Sequence, residues 1–317
     1  MSLSRTQVNK WANACLALGN EVVDGDGFIT VRGLLRRFDA QLILRPLLVE
    51  AMLCESTEAQ SLTARATRWH LLVDSEKYPL TLAQVGSESI VAPLPARFRN
   101  TIAHELTHSL AFRAKEFGVD LAIPIRRGKG ALKDVVDEVE RRTEDLSPLL
   151  LAPDTAIDRC FPSTLKDLSI ASLVQARQRL GVSRFVLIQR LNLMRHYGNA
   201  RFIERACFSD VAVGVGAWTS EGHAVLKGNP IFAQFIGGEQ PSFLHEMRRG
   251  RSLQATSLVA EESFIFNGGV VSSVGLETPF GTEKSKGGTT RPVQLSVETA
   301  RRSGGSFFFL IRANGAS

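Results

Sequence analysis

The chain has 317 residues, 44% of them hydrophobic and 22% charged, which is the composition of an ordinary globular protein long enough for two or three domains. No apolar run approaches the roughly 18–20 residues that span a bilayer, and the N-terminus has no secretory signal, so the sequence predicts a cytoplasmic protein. The four cysteines form no C-x-x-C pair, which argues against a cysteine zinc knuckle. The net charge of +6 is scattered in small groups, which favours solvated surface over a nucleic-acid footprint.

The first hundred residues alternate between helical and extended patterns. In chain order, hydrophobic periodicity and breaker residues predict a helix at 6–18 that is ended by Gly19 and Asn20, a short helix at 31–38, strands at 41–45 and 68–74, and a long helix that begins near Ala96. The strand at 68–74 is expected to belong to a small sheet, and an exposed edge there is a candidate for binding an extended peptide by strand addition.

The texture of the chain changes after residue 199. Before it, the pattern predicts helices at 131–151, 169–180 and 183–194, the last two joined by Gly181, Val182 and Ser183. After it, glycines become frequent and short β-rich runs appear at 211–215, 263–266, 270–274, 293–297 and 307–311, with a polar loop expected at 281–290. We therefore expect a first domain at 1–160, a helix-turn-helix-like segment at 161–199 and a β-containing domain at 200–317.

The segment His104-Glu105-Leu106-Thr107-His108 carries the clearest chemistry, because it places two histidines one helical turn apart on one face. Two imidazoles so spaced can bind one cation, and zinc suits two imidazoles, a carboxylate and an open position for water. Glu105, beside the first histidine, is then the general base that takes a proton from the activated water. No proline or glycine interrupts residues 96–117, which agrees with a helical setting.

A third metal ligand is expected from another helix. The helix predicted at 131–151 offers three glutamates that are candidates: Glu138, Glu140 and Glu144.

Three segments resemble the ImmA/IrrE family of zinc metallopeptidases. Residues 97–108, with the sequence RFRNTIAHELTH, are similar to the family's R-F-T-x-A-H-E-L-x-H, and residues 140–153 are similar in spacing to its second signature, E-x-x-A-N-x-F-A-x-x-L-L-M-P. Residues 176–191 resemble the helical region that follows the family's zinc site. Within residues 140–153 this chain differs from the family's second signature at Thr143, Glu144, Leu146 and Ala152.

The resemblance implies a fold and an activity. The expected fold is α+β: a mainly helical, zincin-like peptidase core with a small flanking sheet, followed by the helix-turn-helix-like segment and a C-terminal domain that is GAF-like in some family members. It implies one zinc ion per chain, held by His104, His108 and Glu140. The implied activity is site-specific cleavage of a regulatory protein, such as a helix-turn-helix repressor, in a stress-response, mobile-element or defence pathway.

Other readings of the same residues stay open. In the helix-turn-helix-like segment, Arg184, Gln189 and Arg190 are candidates for contacting DNA, although packing beside the peptidase core is favoured. The alternative function is a DNA-binding transcriptional regulator whose metal site is vestigial or structural. His196 and Tyr197 are candidates for stabilising the oxyanion of the transition state. The C-terminal domain is a candidate for binding a ligand, the substrate or a partner protein.

Overall fold

The computed structural model describes residues 3–55, 69–117, 131–161 and 169–197, and beyond them six strands between residues 211 and 314. Up to residue 197 the described chain is mixed α+β, mostly helical with a small three-stranded sheet. The chain divides into two compact units. The first contains Met1–Arg159 and Gln178–Ser183, and the second contains Cys160–Arg177 and Arg184–Ser317.

The structure has a helix at each of the six predicted positions, and two short helices that were not predicted, at Leu82–Gly86 and Asp154–Cys160. In chain order they are α1 (Arg5–Val22), α2 (Val31–Arg37), α3 (Leu82–Gly86), α4 (Ala96–Arg113) with a 3-10 turn after it (Ala114–Phe117), α5 (Ala131–Leu151), α6 (Asp154–Cys160), α7 (Ile170–Leu180) and α8 (Arg184–Tyr197). Helix α1 begins with a capping box, in which the Ser4 hydroxyl accepts from the backbone N–H of Gln7 and the Gln7 side chain reaches back to Ser4. Within the part of the chain that is described, no helix is both long and apolar enough to cross a membrane.

Helix α1 does not end at Gly19 and Asn20 but continues to Val22, which corrects the predicted boundary. A Cβ on Gly19 would lie 3.1 Å from the backbone oxygens of Leu149 and Leu150, at the end of α5. The glycine is therefore explained by the close approach of α1 to α5 and not by a helix stop.

The small sheet has the order β1-β3-β2, with β1 at Ala40–Arg45, β2 at Ala51–Glu55 and β3 at Trp69–Asp74. Strand β3 pairs with β1 in parallel and with β2 in antiparallel register. Its side chains Leu71 and Val73 are fully buried and form part of the core. Because both edges of β3 are paired, the peptide-binding edge expected near 68–74 is not on β3; within the described strands the outer edges of this sheet belong to β1 and β2.

The core of the first unit contains a charged side chain. Arg99 on α4 is fully buried and forms an ion pair with Glu88, whose side chain is also inaccessible to solvent. Its guanidinium also donates to the backbone oxygens of Ile29 (2.8 Å) and Leu180 (3.2 Å) and lies 4.4 Å above the Phe28 ring. These contacts offset the buried charge and tie the end of α7 to α4.

The turn after α7 depends on a glycine. Gly181 has φ +61°, in the left-handed region that other residues avoid. A Cβ at this position would lie 3.1 Å from the Phe28 ring and 3.3 Å from the Arg99 guanidinium carbon. The segment 178–183 is thus held within the first unit by both backbone conformation and close packing.

The second unit contains the end of the chain, where the described strands are β4 (Val211–Trp218), β5 (Ala224–Leu226), β6 (Ile231–Phe232), β7 (Leu276–Lys284), β8 (Thr290–Thr299) and β9 (Ser306–Asn314). They form an antiparallel sheet of order β5-β4-β9-β8-β7, and β6 also pairs with β4. The runs at 211–215, 293–297 and 307–311, which predict strands, fall within β4, β8 and β9. Those at 263–266 and 270–274 lie outside the described residues. The polar loop predicted at 281–290 is too long, because β7 continues to Lys284 and β8 begins at Thr290.

Candidate metal centre

The two histidines of the motif lie on α4, as the sequence predicts. The helix is anchored by buried apolar residues on its opposite side, among them Phe98, Ile102 and Leu106, which are fully inaccessible to solvent. The ring centroids of His104 and His108 are 6.1 Å apart, one above the other along the helix. Both imidazoles are only partly exposed to solvent, at 18% for His104 and 25% for His108.

Helix α5 brings a single carboxylate to both histidines. Glu140 Oε1 lies 3.0 Å from His104 Nε2, and Glu140 Oε2 lies 2.9 Å from His108 Nε2. The neighbouring residues Val139 and Thr143 are buried, which orients this face of α5. Two imidazoles and one carboxylate from two helices therefore converge on one another.

The other candidate glutamates of α5 are placed differently. The Glu138 carboxylate accepts hydrogen bonds from Arg141 and from Arg142, the latter at 2.9 Å. Partial burial alone raises the pKa of Glu138, but these arginines outweigh it and hold the pKa below its usual range. The Glu144 side chain is exposed, one turn beyond Glu140. Of the three glutamates, Glu140 is the one that contacts the motif histidines.

The converging side chains are of the types that zinc binds, two imidazoles and a carboxylate. Donor atoms that share a tetrahedral zinc ion at about 2.0–2.2 Å lie about 3.3 Å from one another. The two contacts of Glu140 with His104 and His108, at 3.0 and 2.9 Å, are close to that separation. Among the described residues no three His, Cys, Asp or Glu side chains surround a point as an open cation site does. A metal would therefore replace the two hydrogen bonds, and each Nε2 would have to be unprotonated to bind it.

Glu105 is the half-buried neighbour of His104 on α4. Burial, followed by the negative charges of Glu140 and Glu50, raises the pKa of Glu105 to about 7. A carboxyl group with this pKa can both accept and return a proton near neutral pH.

The raised pKa of Glu105 predicts a pH dependence of stability in the metal-free chain. Because the folded-state pKa of about 7 lies above the unfolded value near 4.5, the folded state prefers the protonated carboxyl group. The contribution of Glu105 to the free energy of unfolding is therefore largest below about pH 4.5. It falls by up to about 3 kcal/mol as the pH rises to about 7. We expect urea unfolding in the presence of a chelator to show this loss in the wild type relative to Glu105→Gln. Parallel pH profiles of the two proteins would contradict the shift.

A second carboxylate, Glu50, lies immediately before β2 and was not anticipated. It accepts hydrogen bonds from Thr101 on α4 (2.9 Å), from Arg97 (3.2 Å), and from Lys77 and Tyr78. Partial burial alone raises the pKa of Glu50, but these donors lower it to about 2. The cluster fixes the start of β2 to the turn of α4 that precedes His104 and Glu105.

No local sequence signal identifies this cluster, because the side chains that donate to Glu50 lie 27 to 51 residues from it in the sequence. Phe112 was also missed, although a signal was present: it lies four residues after His108 and so continues the histidine face of α4. Its ring stacks on the His108 imidazole.

The remaining candidate residues lie on α8, which belongs to the second unit. Tyr197 is the last residue of this helix and is half-buried, and His196 precedes it. Arg190, a candidate for contacting DNA, is fully buried, so its guanidinium is not available to a phosphate or a base. Arg184 and Gln189 are partly exposed.

Comparison with protein-family models and with curated proteins adds no relative. No protein-family model matches the chain, and no curated protein matches it at a significant level.

Proposed function

We propose that the protein is a zinc-dependent, site-specific endopeptidase of the ImmA/IrrE type, with a zincin-like core. The observation that carries the proposal is the contact of one carboxylate, that of Glu140, with the Nε2 atoms of both His104 and His108. Two imidazoles and a carboxylate are the ligand set of many catalytic zinc sites. These three residues would hold one zinc ion per chain.

Zinc and Glu105 would have separate roles in peptide hydrolysis. When bound, zinc supplies a Lewis acid that polarises the scissile carbonyl and favours attack by water. Glu105 takes a proton from the attacking water as the new C–O bond forms. As the C–N bond breaks, the protonated Glu105 returns that proton to the leaving amine nitrogen.

Strand β2 is the element best placed to bind an extended substrate. It packs against α4, and Glu50 ties its start to Thr101, one turn before the candidate site. Its pairing with β3 uses one edge, and within the described strands the other edge has no neighbour in this sheet. Backbone hydrogen bonds to such an edge bind a peptide in extended form, which is the form a peptidase requires.

The substrate class follows from the resemblance to the family. A peptidase of this type cleaves a regulatory protein once, such as a helix-turn-helix repressor, in a stress-response, mobile-element or defence pathway. The second unit would then sense a signal, as a GAF-like domain does, recognise the substrate or hold a partner.

The proposal is tested by comparing the intact proteins of cells that express the wild type or Glu105→Gln. We expect a small number of proteins to be replaced by two complementary fragments in wild-type cells alone. The purified chain with zinc should reproduce the same cut in the purified target. Identical protein masses in both cell lines, together with no cleavage by the zinc-loaded chain in vitro, would overturn the proposal.

A further inference from the structure

An exposed aromatic ring continues the histidine face of α4. The Phe112 ring centroid is 5.5 Å from that of His108, and the two planes are within 20° of parallel. Although it stacks on this imidazole, the Phe112 side chain is 61% exposed. A single exposed apolar residue is ordinary on a protein surface. This one differs because it directly contacts a residue of the candidate metal centre.

Helix α5 carries a matching feature. Val136 lies four residues before Glu140, hence on the same helical face, and is 51% exposed. Each of the two helices that supply the candidate ligands therefore has an exposed apolar side chain one turn away from its ligand.

The charged neighbour of Phe112 is directed elsewhere. Arg113 is buried, its guanidinium carbon lies 4.4 Å above the Trp69 ring, and it donates to the backbone oxygen of Phe38 at 3.0 Å. It also forms an ion pair with Glu116. The exposed side of α4 next to His108 thus presents a phenyl ring and not the adjacent guanidinium.

We propose, on the basis of the peptidase function above, that Phe112 forms a specificity subsite that selects substrates with a large apolar residue within about three residues of the scissile bond. Successive residues of an extended peptide advance by about 3.3 Å. His104, His108 and Phe112 follow one another at one-turn intervals, so the ring lies about two to three residues of an extended peptide from a bond held between the two histidines. An apolar substrate side chain covers the ring and removes both surfaces from water, whereas a charged one loses its own hydration there.

The subsite is tested with the full-length, zinc-loaded chain and a library of short peptides with randomised sequence, whose products are identified by mass spectrometry. We expect the wild type to prefer Leu, Ile, Met or Phe at one fixed position within about three residues of the cut. Phe112→Ala should lower kcat/KM on peptides with these residues by about tenfold or more, mainly through KM, which is the discrimination that an apolar pocket supplies. Peptides with Ala or Ser at that position should change by less than about threefold. Phe112→Leu should keep the preference.

Two measurements separate a subsite from a structural role. Zinc content should be equal in the wild type and Phe112→Ala. In the inactive Glu105→Gln background, Phe112→Ala should weaken binding of a fluorescent apolar peptide but not of its serine analogue. Leu82→Ala, which removes an apolar side chain of the same exposure (60%) on α3, is the matched control and should change neither binding nor cleavage.

Each contrary outcome has a distinct meaning. An equal loss on all peptides, or a loss of zinc, would overturn the subsite by showing that Phe112 supports His108. An unchanged preference in Phe112→Ala would also overturn it, while leaving the peptidase function intact. A wild-type chain that cleaves no peptide and no protein would overturn the proposed function and the subsite together.

Discussion

Replacing Glu105 with glutamine is expected to lower kcat/KM for peptide hydrolysis by about 10²- to 10⁴-fold, the usual contribution of a general base. Glutamine has nearly the same size and keeps hydrogen-bonding capacity, but it cannot take a proton from water at neutral pH. Because Glu105 is not one of the three side chains that converge at the centre, zinc should stay bound. The measurement is steady-state cleavage of a quenched peptide, with metal analysis of the same samples.

Glu144→Gln is the matched control for Glu105→Gln. It removes one carboxylate charge from an exposed position on α5, one turn from Glu140, and should leave kcat/KM within about twofold because charges at exposed positions are screened by solvent. Full activity of Glu105→Gln would show that another group acts as the base, and loss of zinc from this variant would place Glu105 among the ligands.

Glu140→Ala is expected to remove zinc from the chain. Loss of an outer-shell partner of a metal ligand weakens metal binding by about 10- to 100-fold, so loss of a direct ligand should exceed about 100-fold. His104→Ala and His108→Ala should behave in the same way. The Glu140 side chain is 49% exposed, so its removal should not unfold the protein. Zinc is measured by mass spectrometry after dialysis against a weak chelator, and folding by circular dichroism.

Glu138→Ala and Glu144→Ala distinguish a specific ligand from a general effect of negative charge. Both lie on α5 within four residues of Glu140, but Glu138 pairs with Arg141 and Arg142, and Glu144 is exposed. Both variants should keep zinc. Retention of zinc by Glu140→Ala and its loss from either of the others would move the third ligand to that glutamate.

Local patterns predict six of the eight α-helices in the described part of the chain, because these six depend on periodicity within their own segments. Helix α4 needs only an uninterrupted apolar face, and the geometry of two histidines four residues apart follows from it. The same reasoning could not select among Glu138, Glu140 and Glu144. That choice depends on how α5 is rotated against α4 and on which glutamates the neighbouring arginines occupy.

Features that depend on long-range packing are not predictable from such patterns. Gly19 is of a residue type that often ends a helix, but it lies inside α1. A glycine is needed there because α5 approaches closely. In the sequence Glu50 is an ordinary acidic residue before a strand. Its hydrogen bonds with Thr101 and Arg97 of α4 form only in the folded chain. The buried pair of Arg99 and Glu88 is likewise a product of tertiary structure, since an isolated arginine on a helix predicts a solvated side chain.

The contacts of Gly181 and Arg99 bear on where this chain can be divided. The first compact unit is not continuous in sequence, because it takes in residues 178–183 from beyond α6. A fragment that ends near residue 160 retains the motif helix but lacks the Leu180 carbonyl, which accepts from the Arg99 guanidinium, and the turn that packs on Phe28. The smallest self-contained piece of the first unit therefore extends at least through Ser183, and a shorter one leaves a buried cation short of an acceptor.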